Sequence, residues 1–419
     1  MPKVLPTLKP QGVRPTVHVS IPRDGIPPLL DNESALYDAA EKLQRGEGLI
    51  AVDTERAADY RYDDRAYLVQ LRRPGCGTLL VDPTVSDAAN AALGKVLNHS
   101  EWILHAAHTD LPYLTAIGWH PTRLHDTQIT GRLLGLGQPG LSHMLEHFCG
   151  ITINKDKGQE DWSARPLSED LLAYAALDVE HLGELLAITL EQIDERGRRQ
   201  WYVQECSSVL DRSIALPTPT WTDMKGLSAL RSARSLAIAR ALWRVRDDYA
   251  STHNLSPHRI IKRKDILRIA QSPHQALDEL HSLAIPATVQ RRADIAVKEA
   301  LHLPQRALPR LPRHPVAQIP AYTRWETDHP RAFMALEVLV NRTHTLAEEL
   351  DLTMDTLATM KTLRTVAWET SRIKVDYSQD PVAVFESTVG TAMESQGSRP
   401  WQIDLIANSS IPALIDRLY

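Results

Sequence analysis

The sequence is poor in cysteine and has no long apolar run. Three of its 419 residues are cysteine, namely Cys76, Cys149 and Cys206, and they lie far apart without CxxC spacing. Such a set excludes a disulfide framework and a structural zinc site, and is typical of core residues in a reducing compartment. No uncharged apolar stretch is long enough to span a bilayer, and the N-terminus has no signal-like apolar segment. We therefore expect a cytoplasmic protein that does not bind membranes.

The chain as a whole has a small net charge, but one part of it is strongly basic. The net charge is −5. Residues 221–310 contain 16 Lys and Arg against 8 Asp and Glu, a net charge of +8, so the rest of the chain carries −13. The length allows roughly three domains, and 43% hydrophobic with 24% charged residues is typical of a globular chain. A basic block next to an acidic body leaves a nucleic-acid partner open.

Residues 49–55 form an apolar run that ends in two acids, Asp53 and Glu55. Side chains alternate along a strand, so both carboxylates lie on one face at the end of a buried strand. Carboxylates held this close repel each other, and a divalent cation with oxygen ligands relieves the repulsion. The pattern predicts half of a metal site, the alternative being a strand end with two solvated acids.

Two further acidic positions follow in the same region. Asp110 comes after a predicted strand at 102–106 and stands at a helix start, where an aspartate is also a common N-cap. Tyr174 and Asp178 lie four residues apart on a predicted helix that Ser168 caps, so they share one face. That face is otherwise apolar, which argues against a purely solvent-exposed stripe.

The order of predicted elements indicates a mixed α/β sheet. A helix at 33–43 precedes the acidic strand, and two strands at 67–71 and 78–82 complete a three-strand meander with a turn at 73–77. A helix at 86–97, the strand at 102–106 and mostly helical residues 126–195 follow. This β-β-β-α-β-α order belongs to a class that includes the ribonuclease H-like arrangement.

These residues resemble the ribonuclease D branch of the DEDD 3′-to-5′ exonucleases. The matching motifs are Asp53-Thr54-Glu55, His105-Ala106 leading to Asp110, and Tyr174-Ala175-Ala176-Leu177-Asp178. The segments 67–71, 125–127 and 161–167 are similar to ribonuclease D as well. The resemblance covers roughly residues 30–205 and implies an α/β ribonuclease H-like exonuclease domain, a mixed sheet with flanking helices.

The resemblance also implies the chemistry of the site. Two divalent ions, Mg²⁺ or Mn²⁺, would serve phosphodiester hydrolysis. One would be held by Asp53, Glu55 and Asp178, and the other by Asp53 with Asp110. Tyr174 would position the attacking water, since a phenol with a pKa near 10 is a poor base at neutral pH. Lys157 and Arg165 are candidate phosphate contacts, with a surface salt bridge as the alternative for each.

Beyond residue 210 the sequence predicts two all-α units that resemble HRDC domains. Laying 241–270 over 338–367, an offset of 97 residues, pairs mostly core positions such as Leu242 with Leu339 and Ala250 with Ala347. The second unit is interpreted as a divergent HRDC-like domain, the alternative being an unrelated helical bundle. The predicted division is an N-terminal arm at 1–30, the exonuclease domain at 31–210, a linker at 211–225, an HRDC domain at 226–302, a Pro/Arg-rich linker at 303–329, and the second HRDC-like domain at 330–419.

The first helical unit carries a basic cluster, Arg259, Lys262, Arg263 and Lys264. In the second unit Thr356, Thr359, Met360 and Lys361 occupy the aligned positions, so three of the four cations are missing. The cluster is a candidate for binding RNA phosphates, and a solvated charge run is the alternative.

The sequence as a whole favours a metal-dependent exoribonuclease. By the resemblance it would release nucleoside 5′-monophosphates from the 3′ ends of single-stranded or structured RNA such as tRNA precursors, as a monomer and without an organic cofactor. One alternative is a 3′-to-5′ exodeoxyribonuclease of repair or proofreading type, since the same acids serve both reactions. The other is an inert RNA-binding scaffold, which the intact acids and Tyr174 disfavour.

Overall fold

The computed structural model describes residues 16–154, 157–212, 216, 218–311, 319–374 and 380–419. The strands are β1 Val17–Val19, β2 Leu29–Leu30, β3 Ile50–Arg56, β4 Ala66–Arg73, β5 Gly77–Val81, β6 Glu101–Leu104, β7 Arg123–Asp126 and β8 Ile151–Ile153. Helices of the first half are α1 Glu33–Arg45, α2 Asp87–Leu97, α3 Leu111–Ala116, α4 Thr127–Leu133, α5 Leu141–Met144, α6 Glu169–Glu180, α7 Leu182–Glu195 and α8 Arg199–Asp211. Those of the second half are α9 Ala233–His253, α10 Pro257–Ile260, α11 Arg263–Gln271, α12 Ala276–His281, α13 Ala287–His302, α14 Trp325–Asp328, α15 Pro330–Leu350, α16 Met354–Leu357, α17 Met360–Ser371, α18 Pro381–Ser395 and α19 Pro400–Leu418.

Six strands form one mixed sheet in the order β2-β5-β4-β3-β6-β7. The predicted meander is confirmed, because β3 pairs antiparallel with β4 and β4 with β5. On its other side β3 pairs parallel with β6, which pairs parallel with β7. The carboxyl ends of β3 and β6 therefore meet at the same edge of the sheet, where open α/β sheets commonly bind ligands. The fold is the mixed α/β arrangement that the sequence predicts.

The described part of the N-terminal arm forms two short strands. β1 pairs with β8 outside the main sheet, and β2 pairs with β5 at the edge of the main sheet. Residues 1–15 lie outside the described residues. The second half of the predicted N-terminal arm over 1–30 is therefore attached to the rest of the fold by pairing with distant strands, an order that the local sequence does not indicate.

The two helical units repeat each other at a constant offset of 97 residues. α9 and α15 are each 21 residues long, and α15 begins and ends 97 residues after α9. α16 begins and ends 97 residues after α10, and α17 begins 97 residues after α11. Both long helices end at a residue in the left-handed region, Asn254 with φ 47° and Asp351 with φ 50°. The assignment of the two units to the HRDC type stays a prediction.

The two units relate differently to the nuclease domain. Buried residues of the second unit, from Trp325 to Leu418, share one continuous apolar core with residues of the nuclease domain. The first unit, from Met224 to Ala300, has an apolar core of its own. Trp325 is fully buried in the shared core and lies on α14. The second unit therefore begins before residue 330, where the sequence predicts its start, and the end of the predicted linker belongs to it.

The junction between α8 and the second unit is built from buried charges and stacked rings. Arg198 donates hydrogen bonds to the carbonyls of Leu133 and Leu350, which joins the two parts directly. Trp201 stacks on Trp401 with the ring centroids 4.6 Å apart. Glu205, itself buried, accepts hydrogen bonds from Trp401 and Arg399 at 3.0 and 2.6 Å. Charged groups buried this deeply need such partners, so the junction is a fixed part of the fold.

None of the helices in the described ranges combines the length and apolar character needed to cross a lipid bilayer.

Candidate active site

The five residues predicted to carry the chemistry line one cavity at the carboxyl ends of β3 and β6. The cavity has a volume of about 430 Å³, and its walls include Asp53, Glu55, Asp110, Tyr174 and Asp178. Asp53 and Glu55 come from β3, and Asp110 directly precedes α3. Tyr174 and Asp178 lie on α6, which packs across β3, β4 and β5. The predicted cap of α6 is present, since the Ser168 hydroxyl accepts from the backbone N–H of Leu171 at 3.3 Å.

Three of the acids are arranged as metal ligands. One carboxylate oxygen from each of Asp53, Glu55 and Asp178 can be chosen so that all three lie within 4.8 Å of one another. Hard divalent cations such as Mg²⁺ prefer oxygen ligands of this kind. The donor set therefore fits Mg²⁺ or Mn²⁺, as the sequence predicts for these three residues.

Asp110 lies in the same cavity and is oriented by two hydroxyls. Thr54 donates to its Oδ1 at 2.6 Å and Thr109 to its Oδ2 at 2.9 Å. Its side chain makes no capping hydrogen bond at the start of α3. Asp110 therefore occupies the N-cap position of α3, as the alternative interpretation has it, but its carboxylate does not cap the helix and points to other partners. Each carboxylate oxygen retains a lone pair, so the predicted role as a ligand remains chemically available.

The electrostatics of the cavity favour a bound cation. Burial raises the pKa values of Asp53 and Glu55 well above their ordinary range, and the neighbouring carboxylates raise them further. Burial also raises the pKa of Asp110 to about 6 and that of Asp178 to about 7. Without a cation the four acids cannot all be ionised near neutral pH at low cost. Such strong repulsion between buried carboxylates is typical of metal-binding and catalytic sites.

Tyr174 is held in its protonated form. Burial raises the pKa of its hydroxyl far above the ordinary value, and the charges of Asp178, Glu55 and Asp53 add to the effect. The neighbouring Asp178 carboxylate favours the protonated hydroxyl, and the ring lies 6.2 Å from that of Trp162. A phenol held in this state can orient a water molecule through a hydrogen bond, which is the role that the resemblance implies for Tyr174.

Two supporting residues were not predicted from the sequence. Gln70 is fully buried on β4 directly opposite Asp53, and its amide lies 3.4 Å from the Asp53 carboxylate. Asp126, at the end of β7, accepts the backbone N–H groups of Ala106 and Ala107 at 3.0 and 2.8 Å. Ala106 has φ 59°, a costly conformation for alanine, so Asp126 stabilises the tight turn that leads to Asp110.

The structure gives Lys157 and Arg165 partners other than RNA. Lys157 forms an ion pair with Asp170 at 3.4 Å. A guanidinium has five N–H donors. Arg165 uses them for five hydrogen bonds, two to Asp82 and three to the carbonyls of Tyr67, Trp162 and Ala164. The salt-bridge alternative therefore describes both residues, and Arg165 anchors its loop to the sheet with no donor left for a phosphate.

The basic cluster of the first helical unit divides into two parts. Arg259 contacts the nuclease domain, since its Nε donates to the carbonyl of Asp59 at 2.6 Å and its guanidinium lies 4.1 Å from the ring centre of Tyr60. Lys262, Arg263 and Lys264 are exposed, and no ion pair in the described ranges involves them. Arg259 therefore joins two domains through its Nε, and a phosphate contact stays a prediction for all four residues.

The turn after α9 touches the wall of the cavity. Asn254 accepts the backbone N–H groups of Tyr62 and Asp63 at 3.0 and 3.1 Å. Ser256 donates to the carbonyl of Ala58 at 2.7 Å and, through its backbone, to that of Tyr60 at 3.1 Å. The contacted segment, residues 57–63, follows Arg56 at the end of β3, and its first four residues line the cavity. The first helical unit therefore supports one wall of the candidate active site.

Comparison with known proteins agrees with this geometry. Residues 28–194 match a family model described as 3′-5′ exonuclease, and residues 318–414 match one described as 3′ to 5′ exonuclease C-terminal domain. Ribonuclease D of Gluconacetobacter diazotrophicus is 32% identical over 261 residues, which is 61% of this chain and 65% of the relative's own length. Ribonuclease D of Escherichia coli is 29% identical over 338 residues, 77% of this chain and 86% of that protein.

Solved structures show the same architecture. A protein from Bifidobacterium adolescentis superposes with a TM-score of 0.82 at 28% identity, over 96% of this chain and all of that one. The structure of E. coli RNase D, described as an exoribonuclease involved in structured RNA processing, superposes with a TM-score of 0.62 at 23% identity, over 88% of this chain and 99% of that one. At 23% identity, the similarity to the E. coli RNase D structure shows a shared fold alone. The family models and the curated relatives show that the chain contains a 3′-5′ exonuclease domain and is similar to ribonuclease D along most of its length.

Proposed function

We propose that this protein is a metal-dependent exoribonuclease that removes nucleoside 5′-monophosphates one at a time from RNA 3′ ends. The observation that carries the proposal is the meeting of Asp53, Glu55 and Asp178 within 4.8 Å, in a cavity that Asp110 and Tyr174 also line. Hydrolysis of a phosphodiester needs a deprotonated water and neutralisation of charge on the phosphate, which two bound divalent ions supply. The match to a 3′-5′ exonuclease family model, the similarity to ribonuclease D and the raised pKa values of the acids support the same conclusion.

The protein's own side chains have separable tasks in this reaction. Asp53, Glu55 and Asp178 would hold one ion, and Asp53 with Asp110 the second. Thr54 and Thr109 fix the orientation of the Asp110 carboxylate. The protonated hydroxyl of Tyr174 would orient the attacking water. Positioning and charge stabilisation of this kind are the main protein contributions to reactions at phosphate.

RNA is the proposed substrate, with structured transcripts such as tRNA precursors as the physiological class. Support comes from relatives named ribonuclease D and from the description of the E. coli protein as acting in structured RNA processing. We further propose that the protein acts in the cytoplasm as a monomer. The rival activity is a 3′-to-5′ exodeoxyribonuclease, which the same four acids could perform.

The test uses RNA and DNA of one sequence, labelled at either end, with Mg²⁺, Mn²⁺ or a chelator. A 3′ label should appear at once as a mononucleotide, and a 5′-labelled RNA should shorten in single-nucleotide steps, only when metal is present. Faster digestion of DNA than of RNA would assign the rival activity. RNA binding without release from either substrate would instead indicate an inert scaffold and contradict the proposal.

A further inference from the structure

The candidate active site is crowded with acids but must accept a polyanion. Among the described residues that line the cavity, Arg56 is the one arginine or lysine. It follows Glu55 directly on β3, and its side chain is one-third exposed. In the proposed reaction the scissile bond is the last linkage of the strand, so every other phosphate lies on its 5′ side. The nearest of these phosphates needs a cationic partner, because bound metal would serve the scissile phosphate.

The guanidinium of Arg56 is held in place through one of its three nitrogens. Its Nη1 donates to the two carboxylate oxygens of Asp64 at 2.8 and 3.1 Å and to the Tyr113 hydroxyl at 2.8 Å. That hydroxyl donates in turn to Asp64 at 2.8 Å. The guanidinium carbon lies 4.2 Å from the centre of the Tyr113 ring. In the described part of the chain, no hydrogen bond or ion pair uses Nε or Nη2 of Arg56.

We propose, on the basis of the proposed function, that Arg56 binds the RNA phosphate immediately 5′ of the scissile one through its Nε and Nη2 groups. An arginine fork matches two phosphate oxygens in geometry and charge, and such contacts are stronger than neutral hydrogen bonds. Asp64 and Tyr113 act as positioning residues, since they fix the plane of the guanidinium without using this edge. Arg56 is then a substrate-binding residue that sets where the strand lies relative to the acids.

A second arginine, at the end of the loop that joins β3 to β4, provides a matched control. Arg65 forms an ion pair with Asp63 at 3.0 Å and lies 5.0 Å from the ring centre of Tyr67. The Tyr67 hydroxyl donates to Asp63 at 2.6 Å, so this group repeats the arrangement of Arg56, Asp64 and Tyr113. Arg65 does not line the cavity. Its replacement removes the same charge and the same kinds of contact a short distance away.

The experiment compares Arg56→Gln with Arg65→Gln on two RNAs, one unmodified and one with a neutral methylphosphonate at the penultimate linkage. On unmodified RNA, Arg56→Gln should raise KM by about tenfold or more, with kcat changed far less. For Arg56→Gln, the slope of log(kcat/KM) against log salt concentration should be shallower by roughly 0.7, the value for one lost phosphate contact to a single strand. Arg65→Gln should resemble the wild type in both respects.

The neutral linkage separates a direct phosphate contact from a general charge effect. The wild type and Arg65→Gln should lose about tenfold in kcat/KM on the modified RNA, whereas Arg56→Gln should lose no more than about twofold. An equal loss in all three proteins would overturn the proposal and make Arg56 a residue that only offsets the charge of Glu55 and Asp110. Failure of the wild type to digest unmodified RNA would overturn the proposed function as well. Circular dichroism and melting temperature check that each variant is folded.

Discussion

At the scale of single residues, the four acids differ from Tyr174 in what their loss removes. Asp53→Asn, Glu55→Gln, Asp110→Asn and Asp178→Asn should each lower turnover by at least about a hundredfold, because each removes a charge that holds metal at the site of hydrolysis. Tyr174→Phe removes one orienting hydroxyl and should cost less, on the order of tenfold. Single-turnover digestion of 5′-labelled RNA measures both effects. Wild-type rates in any two of the acid variants would contradict the metal-site assignment.

The same acids predict how the metal-free protein responds to pH. Asp110 and Asp178 have pKa values of about 6 and 7 in the folded protein, above the value of roughly 3.9 expected for an unfolded chain. The folded state therefore binds more protons, and the stability from this source is present below about pH 4 and lost as the pH rises through 6 and 7. In chelator, the melting temperature should fall between pH 5 and pH 8.

Asp178→Asn provides the control for this effect. The variant lacks one of the repelling carboxylates, so its melting temperature in chelator should fall less with pH and exceed that of the wild type at pH 8. Added Mg²⁺ should raise the melting temperature of the wild type most at the higher pH, because ionised ligands bind metal. An identical pH slope in the two proteins would show that the repulsion lies elsewhere.

Much of the site could be predicted from the sequence because its acids occur in ordered motifs with fixed spacing. Their supporting residues could not be predicted in this way. Gln70 reaches Asp53 only through the register of β3 and β4, and Asp126 reaches Ala106 across two parallel strands. Arg165 has the residue type of a phosphate ligand, but its bonds to Asp82 depend on how a distant loop folds back. Tertiary contact, rather than local pattern, decides these roles.

At the scale of elements, the turn after α9 has a task that its counterpart after α15 lacks. Asn254 and Asp351 both adopt the left-handed conformation. Replacing either residue by alanine should therefore lower the protein's free energy of unfolding by roughly 1 kcal/mol. Only Asn254 holds the segment 57–63 at the cavity. We therefore expect Asn254→Ala to lower kcat/KM by about three- to tenfold through loss of two hydrogen bonds, and Asp351→Ala to leave it unchanged.

Steady-state digestion of a short single-stranded RNA, together with thermal melts of both variants, makes this comparison. Equal loss of activity in the two variants would mean that the effect follows from reduced stability and not from the position of the cavity wall.

The exposed part of the basic cluster gives a separate prediction at this scale. Replacing Lys262, Arg263 and Lys264 by glutamine should weaken RNA binding and reduce the slope of log affinity against log salt by up to roughly 2, or about 0.7 for each lost contact. Digestion of short single strands at saturating concentration should barely change. Replacing Arg342 and Lys361 of the second unit should do much less. An unchanged slope in the first variant would assign these cations to solubility.

The sequence predicts the boundaries of helices and strands where the pattern of apolar residues is local. It does not predict them where an element depends on distant partners. The constant offset between α9 and α15 agrees with the alignment of leucines and alanines, because both helices bury the same spacing of apolar residues. β1, β2 and β8 have only two or three residues each, and they exist through pairing with partners far along the chain. No periodicity can develop over so short a segment.

At the scale of the whole molecule, the two apolar cores predict two separable unfolding events. Leu242 and Leu339 are equivalent in the repeat and both fully buried, but Leu242 lies in the core of the first unit and Leu339 in the core shared with the nuclease domain. Replacing either by alanine should cost about 2 to 5 kcal/mol in the core that contains it. Leu339→Ala should therefore lower the temperature at which nuclease activity is lost by more than Leu242→Ala does.

Calorimetry together with activity measured after brief heating distinguishes the two variants. Leu242→Ala should shift only the transition of the first unit. An equal shift of all transitions in both variants would show that the protein unfolds as one cooperative body.

The shared core has a consequence for how the protein is made. A ribosome delivers the chain from its N-terminus, so the sheet and its acids emerge long before Leu414 and Leu418, which belong to the same apolar core. The first helical unit, synthesised in between, has every buried residue of its own core by Ala300 and can fold while translation continues. The nuclease domain is thus synthesised before the first helical unit, but the apolar core that it shares with the second unit is completed later, once α19 has left the exit tunnel.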